Sequence, residues 1–186
     1  MKLKLFFLFL FSLCIEHLTF NITYATVRFV SKTGTSTFPF TNWATAADSI
    51  QKCINICVDG DTIYVANGIY KENLVINTAI SLIGSSMDST VIDGTGMSDR
   101  SIRFFADGSI ENFDVRGKEL IPLTDVISVV SKNLIVKNCK VSNAANCILT
   151  TGSTAEIKNC LITKTLYGIG GDCYSGNCNQ YFNNNL

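Results

Sequence analysis

The sequence predicts an all-β fold, a single-stranded parallel β-helix with one amphipathic helix at its N-terminal end. After Gly60, apolar runs of three to seven residues follow one another, separated by Asn, Gly, Asp or Ser. A six-residue pattern recurs within these runs, and no second segment has helical periodicity. Short strands joined by tight turns suit sandwiches, barrels or solenoids, and the internal repeat favours the solenoid.

The repeat has a period close to one winding of a β-helix. The hexapeptide Val136–Val141 matches Ile157–Ile162 at an offset of 21 residues, and Ile110–Val115 lies 26 residues before Val136–Val141. Three short strands and their turns use about that many residues, at ~3–10 residues per strand. The alternative is a chance similarity between short strands.

Stacked windings lie ~4.8 Å apart, so equivalent side chains should form columns. Asparagine tolerates the left-handed backbone of a sharp bend, and its amide can hydrogen-bond the next amide in the column. We therefore expect a structural ladder at the turns and a core column beside it. The predicted ladder is Asn112, Asn138 and Asn159, and the predicted core column is Phe113, Cys139 and Cys160.

One helix is expected between a first strand at 26–30 and the coils. Thr45 can cap its N-terminus and Gly60 can end it, which places the helix at 44–58. Its apolar face follows a 4-3-4-3 spacing and consists of Trp43, Ala47, Ile50, Ile54 and Cys57.

The first 25 residues are typical of a secretory signal peptide. Lys2 and Lys4 precede an apolar run that ends at Ile15, and Ala25 completes an acceptable cleavage site. The run is shorter than the ~20 residues of a membrane span, although a membrane anchor is the alternative. We expect a mature chain that begins at Thr26, is secreted or held at the cell surface, and has no membrane span.

Charge and histidine content exclude several functions. The chain has 15 basic and 15 acidic residues, and no basic stripe that would bind nucleic acid. Its single histidine, His17, would leave with the signal peptide. Mechanisms that need an imidazole within the mature chain, such as Ser-His-Asp catalysis or His-ligated zinc, are therefore not expected.

Seven of the eight cysteines follow the predicted leader, so they cannot all pair within the chain. No spacing matches a paired Cys-x-x-Cys zinc site, and most are expected to be small buried residues. The best disulfide candidate is Cys173 with Cys178, because 175–177 can turn the chain back.

Several motifs resemble the opening of pectin-lyase-like right-handed parallel β-helix proteins. The segments concerned are Phe29–Gly34, Phe38–Thr41, Ala47–Cys57, Gly60–Val65 and Asn67–Glu72. The resemblance implies that the helix covers the N-terminal end of the coil stack and that the hexapeptides form asparagine-ladder turns. It is specific for fold and weak for activity.

The predicted organisation is a leader at 1–25, an N-terminal strand, loop and capping helix at 26–60, and coils at 61–186. The resemblance covers residues 28 to about 170 of this chain. The segment Asn177–Leu186 resembles a further coil that is interrupted within its ladder turn, and no closing element follows it, although solenoids need a cap on the last coil. We therefore expect the chain to be the N-terminal part of a longer protein.

We favour a monomeric, exported, glycan-contacting module that is non-catalytic within this segment and uses no cofactor or metal. Trp43, Tyr64 and Tyr70 could stack on sugars, although Trp43 is expected to pack under the helix and Tyr70 on the first coil. A structural stalk or adhesin repeat is one alternative, and nothing in the sequence separates it from the favoured function.

The other alternative is a calcium-dependent polysaccharide lyase with an active site beyond residue 186. The resemblance implies carboxylates that bind Ca²⁺ and a nearby Arg or Lys that removes a proton. The nearest candidates are Asp114 and Arg116, with Glu111 and Asp93, and we expect Asp114 and Arg116 to form a surface ion pair instead. The hydrolase pattern of the superfamily, with paired aspartates and Gly-His-Gly, is absent.

Overall fold

The computed structural model describes residues 24–97, 100–118, 124–130, 133–172 and 180–183, of which 171–172 and 180–183 are described as backbone only. Most of the predicted leader, Cys173 and Cys178 lie outside these residues. The described elements are β1 (Val27–Val30), α1 (Ile50–Ile54), β2 (Thr62–Val65), β3 (Gly68–Tyr70), β4 (Leu74–Ile76), β5 (Ile80–Gly84), β6 (Thr90–Asp93), β7 (Ile102–Phe104), β8 (Gly108–Glu111), β9 (Asp114–Arg116), β10 (Asp125–Val129), β11 (Asn133–Lys137), β12 (Lys140–Thr151), β13 (Thr154–Lys158), β14 (Leu161–Asp172) and β15 (Gln180–Asn183).

These strands form a parallel β-solenoid with three faces. Face A contains β1, β2, β5, β8, β11, β13 and β15, in that order. Face B contains β3, β6, β9 and the first residues of β12 and β14. Face C contains β4, β7, β10 and the last residues of β12 and β14. Every pairing is parallel, and four complete windings lie between β2 and β13.

The interior is filled by apolar columns, one side chain from each winding. On face A the inward column is Ile63, Leu82, Ile110, Val136 and Ile157, all fully buried. Face B contributes Tyr70, Ile92, Val115 and Val141, and face C contributes Leu74, Ile102, Ile127 and Ile148. Because the three columns meet in the centre, every winding buries apolar surface against the next one.

The helix is shorter than the sequence predicts. It covers Ile50–Ile54 instead of 44–58, and its N-cap is Ser49, not Thr45. Ala47 is excluded from it because its N–H donates to the carbonyl of Phe29 and its own carbonyl accepts from Ser31. The segment before the helix therefore lies along the edge of β1 opposite β2, and this pairing overrides the helical spacing.

Two side chains connect α1 to the first winding. The Glu72 carboxylate accepts hydrogen bonds from the Ser49 hydroxyl and from the N–H groups of Ile50 and Gln51. The Gln51 amide hydrogen-bonds both the N–H and the carbonyl of Val75. Ile50, Cys53 and Ile54 are buried and face the strands. Glu72 thus satisfies N–H groups that the first turn of a helix leaves without partners.

A buried ion pair joins β1 to the start of β2. Asp61 is fully buried, and it accepts hydrogen bonds from Arg28 Nε at 2.8 Å, the Thr26 N–H at 2.6 Å and the Val58 N–H at 3.1 Å. Burial alone would raise the pKa of Asp61, but these hydrogen bonds outweigh it and hold the pKa below its ordinary value.

We predict that Asp61→Asn lowers the free energy of unfolding by about 3 kcal/mol, because it leaves Arg28 buried without its anion. Urea denaturation at neutral pH measures this, and Asp88→Asn is the control, since Asp88 is an exposed partner of Lys140.

The difference between wild type and Asp61→Asn should also depend on pH. The carboxylate stabilises the fold above its unfolded-state pKa of ~3.9, and this contribution is lost as pH falls through the lower folded-state value. An equal difference at neutral pH and well below the folded-state pKa would contradict the assignment.

Candidate functional site

The three asparagines of the predicted ladder lie at the same corner, between face A and face B. All three have left-handed backbone, with φ of 63° at Asn112 and 51° at Asn138 and Asn159. Asn159 Nδ2 donates to Asn138 Oδ1 at 3.4 Å. Asn138 Nδ2 donates to Glu111 Oε1 at 3.2 Å, so the amide of Asn138 is directed at Glu111.

The core-column residues beside the asparagines are buried. Phe113 and Cys139 are fully buried, and Cys160 is 1 % exposed. The neighbouring Cys160 thiol and burial raise the pKa of Cys139 well above its ordinary value. Burial raises the pKa of Cys147 to about 11. Cys139 and Cys147 are therefore protonated at neutral pH, and their position favours a packing role over a nucleophilic one.

Asp114 and Arg116 form an ion pair on face B. Arg116 Nη2 and Nε lie 2.7 and 3.0 Å from the same oxygen, Asp114 Oδ2. Asp93, on the neighbouring strand β6, is the backbone register partner of Arg116, and its side chain accepts a hydrogen bond from the Thr95 N–H. Glu111 lies around the corner on face A, where it pairs with Lys137 at 3.1 Å.

These carboxylates do not fit a calcium site, which needs about six to eight oxygen ligands directed at one point. Asp114 is occupied by Arg116, and Glu111 lies on a different face from Asp93 and Asp114. Within the described ranges, no group of three or more His, Cys, Asp or Glu side chains could hold a metal ion.

The sequence did not predict a polar cluster at the edge of face C that is centred on a buried carboxylate. Arg100 Nε lies 2.7 Å from Asp125 Oδ2, and Asn146 Nδ2 donates to Asp125 Oδ1 at 3.1 Å. The Asp125 side chain is almost fully buried. Its partners lie 25 and 21 residues away in the chain, so only the winding register brings them together. Both oxygens are occupied, which favours a structural role.

The three aromatic candidates for sugar stacking have different environments. Tyr70 is fully buried, and its hydroxyl donates to the Ala66 carbonyl at 3.0 Å. Burial, with a smaller contribution from Glu72, raises the pKa of Tyr70 to about 12. Tyr70 is therefore a core residue that no ligand can reach. Trp43 and Tyr64, in contrast, are 47 % and 40 % exposed.

Trp43 does not pack under the helix, contrary to the expectation from sequence. It belongs to the segment that covers the edge of β1 opposite β2. The centroid of its ring lies 4.6 Å from that of Phe29, in an edge-on arrangement. Phe29 in turn stacks on Tyr64 at 6.0 Å, and these two residues are register partners on β1 and β2. We call Trp43, Phe29 and Tyr64 the aromatic platform.

A column of hydroxyl groups runs beside the aromatic platform on the outside of face A. Thr62, Ser81 and Ser109 are successive register partners, and each is partly exposed. Ile83 follows Tyr64 in the aromatic column and is also partly exposed. The outer surface from β1 to β8 therefore combines apolar rings with hydrogen-bonding groups.

Solved structures share this architecture. The pectin methylesterase PemA from Erwinia chrysanthemi superposes with a TM-score of 0.59 at 18% identity, over 75% of this chain and 49% of that chain. This similarity shows that the chain has a parallel β-helix fold, which in the neighbour is the right-handed β-helix of the pectin-lyase-like superfamily. A pectin methylesterase in complex with a hexasaccharide gives a TM-score of 0.51 at 17% identity, over 76% of this chain and 56% of that one.

The chain thus spans about half the length of these structural neighbours. No protein-family model and no curated protein sequence matches it. Among the residues described, no helix is long and apolar enough to cross a membrane.

We predict that Asn138→Ala lowers the melting temperature, because it removes two side-chain hydrogen bonds. It also places alanine, which tolerates the left-handed region less well than asparagine, at a φ near 51°. The expected loss is about 2 kcal/mol. Asn138→Gly is the matched control, since it loses the same hydrogen bonds but accepts this φ, and it should cost less than Asn138→Ala. An unchanged melting curve for Asn138→Ala would count against the role of the column.

Proposed function

We propose that this protein is an exported or cell-surface module that binds a glycan on the outside of face A and is not catalytic within these residues. The aromatic platform is the observation that carries the proposal. Trp43 and Tyr64 remain substantially exposed although each packs on, or stacks with, Phe29. Neighbouring large aromatics that stay exposed are typical of binding surfaces.

The chemistry of sugars fits this surface. A pyranose ring has one apolar face of C–H groups, which packs on aromatic rings, and a rim of hydroxyl groups. The hydroxyls of Thr62, Ser81 and Ser109 lie beside the aromatic platform, where they can donate to and accept from such a rim. Parallel strands keep the two columns straight along the solenoid, so they suit an extended polymer.

The structural neighbours support the class of ligand. Both are pectin methylesterases, and one was solved in complex with a hexasaccharide, so the same fold binds carbohydrate in other proteins. At 17% and 18% identity they establish the fold alone, and their activity does not transfer to this chain.

The arrangement of charges supports a non-catalytic role. Proton abstraction next to a sugar carboxylate needs a basic group that is free to act and a cation that neutralises the substrate. The nearest candidates from the sequence, Asp114 and Arg116, neutralise each other at 2.7 Å. An exposed ion pair of this kind is a common surface feature.

The remaining features of the proposal concern export and stability. The leader at 1–25 directs the chain out of the cytoplasm, and the mature protein is a monomer. The contacts of Ile50 and Ile54 with the strands support a role for α1 in closing the N-terminal end of the stack. The hydrogen bond between Asn138 and Asn159 supports a stabilising asparagine ladder at the turns.

We predict that the purified chain is retained on at least one polysaccharide, and that Trp43→Ala reduces this retention.

Incubation with polygalacturonate, alginate and methylesterified pectin in the presence of Ca²⁺ should give neither absorbance from unsaturated ends nor released methanol. Product formation would overturn the non-catalytic assignment. Failure to bind any polysaccharide would overturn glycan binding and would favour a structural stalk.

A further inference from the structure

The outer surface of face A carries no charge at the end where the aromatic platform lies. The outward residues of β1, β2 and β5 are Val27, Phe29, Thr62, Tyr64, Ser81 and Ile83. Arg28, the single charged residue in these three strands, points inward and is held by Asp61. A ligand on this surface therefore meets rings, methyl groups and hydroxyls.

The charges that do lie on the outside of face A come later in the stack and neutralise one another. Lys137 Nζ lies 3.1 Å from Glu111 Oε1, and Lys158 Nζ lies 2.7 Å from Glu156 Oε1. These are the outward cations in the described strands of this face. A polyanion would have to displace a carboxylate from each of them before it gained a favourable contact.

A polyuronate carries one carboxylate per sugar, and each would lose water against the apolar surface of the aromatic platform. Desolvation of an ionised carboxylate is costly unless a cation or several hydrogen-bond donors replace the water. Neutral sugars have no such cost, because hydroxyl groups can exchange water for Thr62, Ser81 and Ser109. The charge distribution thus discriminates between the two classes of glycan.

We propose that the ligand of face A is an uncharged glycan, bound along the aromatic platform and the adjacent hydroxyl column. This inference rests on the proposed glycan-binding function and specifies its substrate class. It also separates this protein from its structural neighbours, whose names refer to pectin. The apolar column runs from Phe29 on β1 to Ile83 on β5, and the hydroxyl column runs from Thr62 on β2 to Ser109 on β8. Each column extends over about 10 Å, at ~4.8 Å per strand, which accommodates a short run of sugars.

The test compares two groups of soluble polymers by affinity electrophoresis and calorimetry with the full chain. The uncharged probes are hydroxyethyl cellulose and galactomannan, and the anionic probes are polygalacturonate and alginate. We expect binding to at least one uncharged polymer that is unchanged between low and high salt, because no ion pair is formed. Binding to the anionic probes should be at least about tenfold weaker, and this corresponds to ~1.4 kcal/mol.

Substitutions locate the site on face A. Trp43→Ala and Tyr64→Ala should each weaken binding about tenfold, as is usual for a buried aromatic contact, whereas Tyr64→Phe should retain it because the ring remains. Tyr167→Ala is the matched control, since Tyr167 is 70 % exposed and belongs to β14. All three positions are at the surface, and unchanged melting curves would show that the four variants fold.

A gain of function tests the charge argument directly. Ser81→Lys introduces an unpaired cation into the hydroxyl column beside Tyr64 and Ile83. This variant should acquire salt-sensitive binding to polygalacturonate while losing affinity for the uncharged polymer. If Ser81→Lys leaves both affinities unchanged, the site does not lie on face A.

The outcomes separate this inference from the proposed function. Salt-sensitive binding of wild type to polygalacturonate, without binding to uncharged polymers, would overturn the uncharged class and leave glycan binding intact. Binding to none of the probes would overturn both. A concentration-dependent dimer that Trp43→Ala abolishes would show that the aromatic platform is an interface between two copies and would also overturn the inference.

Discussion

The parallel register between successive windings is the constraint on which the whole structure depends. Each strand hydrogen-bonds its equivalent one winding earlier and one winding later, as β11 does with β8 and β13. Since side chains alternate across a strand, this register sends Val136 inward and Ile135 outward, and it repeats that choice at every winding. A shift by one residue would exchange the core and the surface, so the apolar columns and the backbone hydrogen bonds specify the same alignment.

The first strand of such a stack has one edge with no preceding winding to pair with. In this chain the segment between β1 and α1 covers that edge. On the outer edge of β1, the Phe29 N–H donates to the Phe40 carbonyl, and the Phe29 carbonyl accepts from the Ala47 N–H. Asp61 and Glu72 then anchor the strand and the short helix from the opposite side. An exposed edge is a site for aggregation, and satisfying it with local chain avoids that risk. The same arrangement places Trp43 at the end of the aromatic column.

The sequence predicted the winding because the hexapeptides carry its period. Asn112, Asn138 and Asn159 recur at the same corner, where all three have positive φ, and their neighbours Phe113, Cys139 and Cys160 are buried. The helix bounds were wrong, since Trp43 and Ala47 fit a helical face equally well. Their pairing with β1 depends on a contact that local spacing does not encode. The cluster of Arg100, Asp125 and Asn146 was missed for the same reason, because its members belong to different windings without a shared motif.

The position of the candidate site follows from what the solenoid leaves unconstrained. Inward positions must be apolar in every winding, and corner positions must accept a sharp bend, so neither can vary with function. Outward positions are limited only by solubility and by β-propensity, which charged and hydroxyl residues satisfy easily. Against that background the exposed Trp43 and Tyr64 need a reason, since charged side chains at the same positions would protect the end of the sheet better. The later windings of face A show this ordinary solution, with Lys137 and Lys158 each paired to a glutamate. The first windings depart from it, and a ligand that covers apolar rings without bringing a charge accounts for that departure.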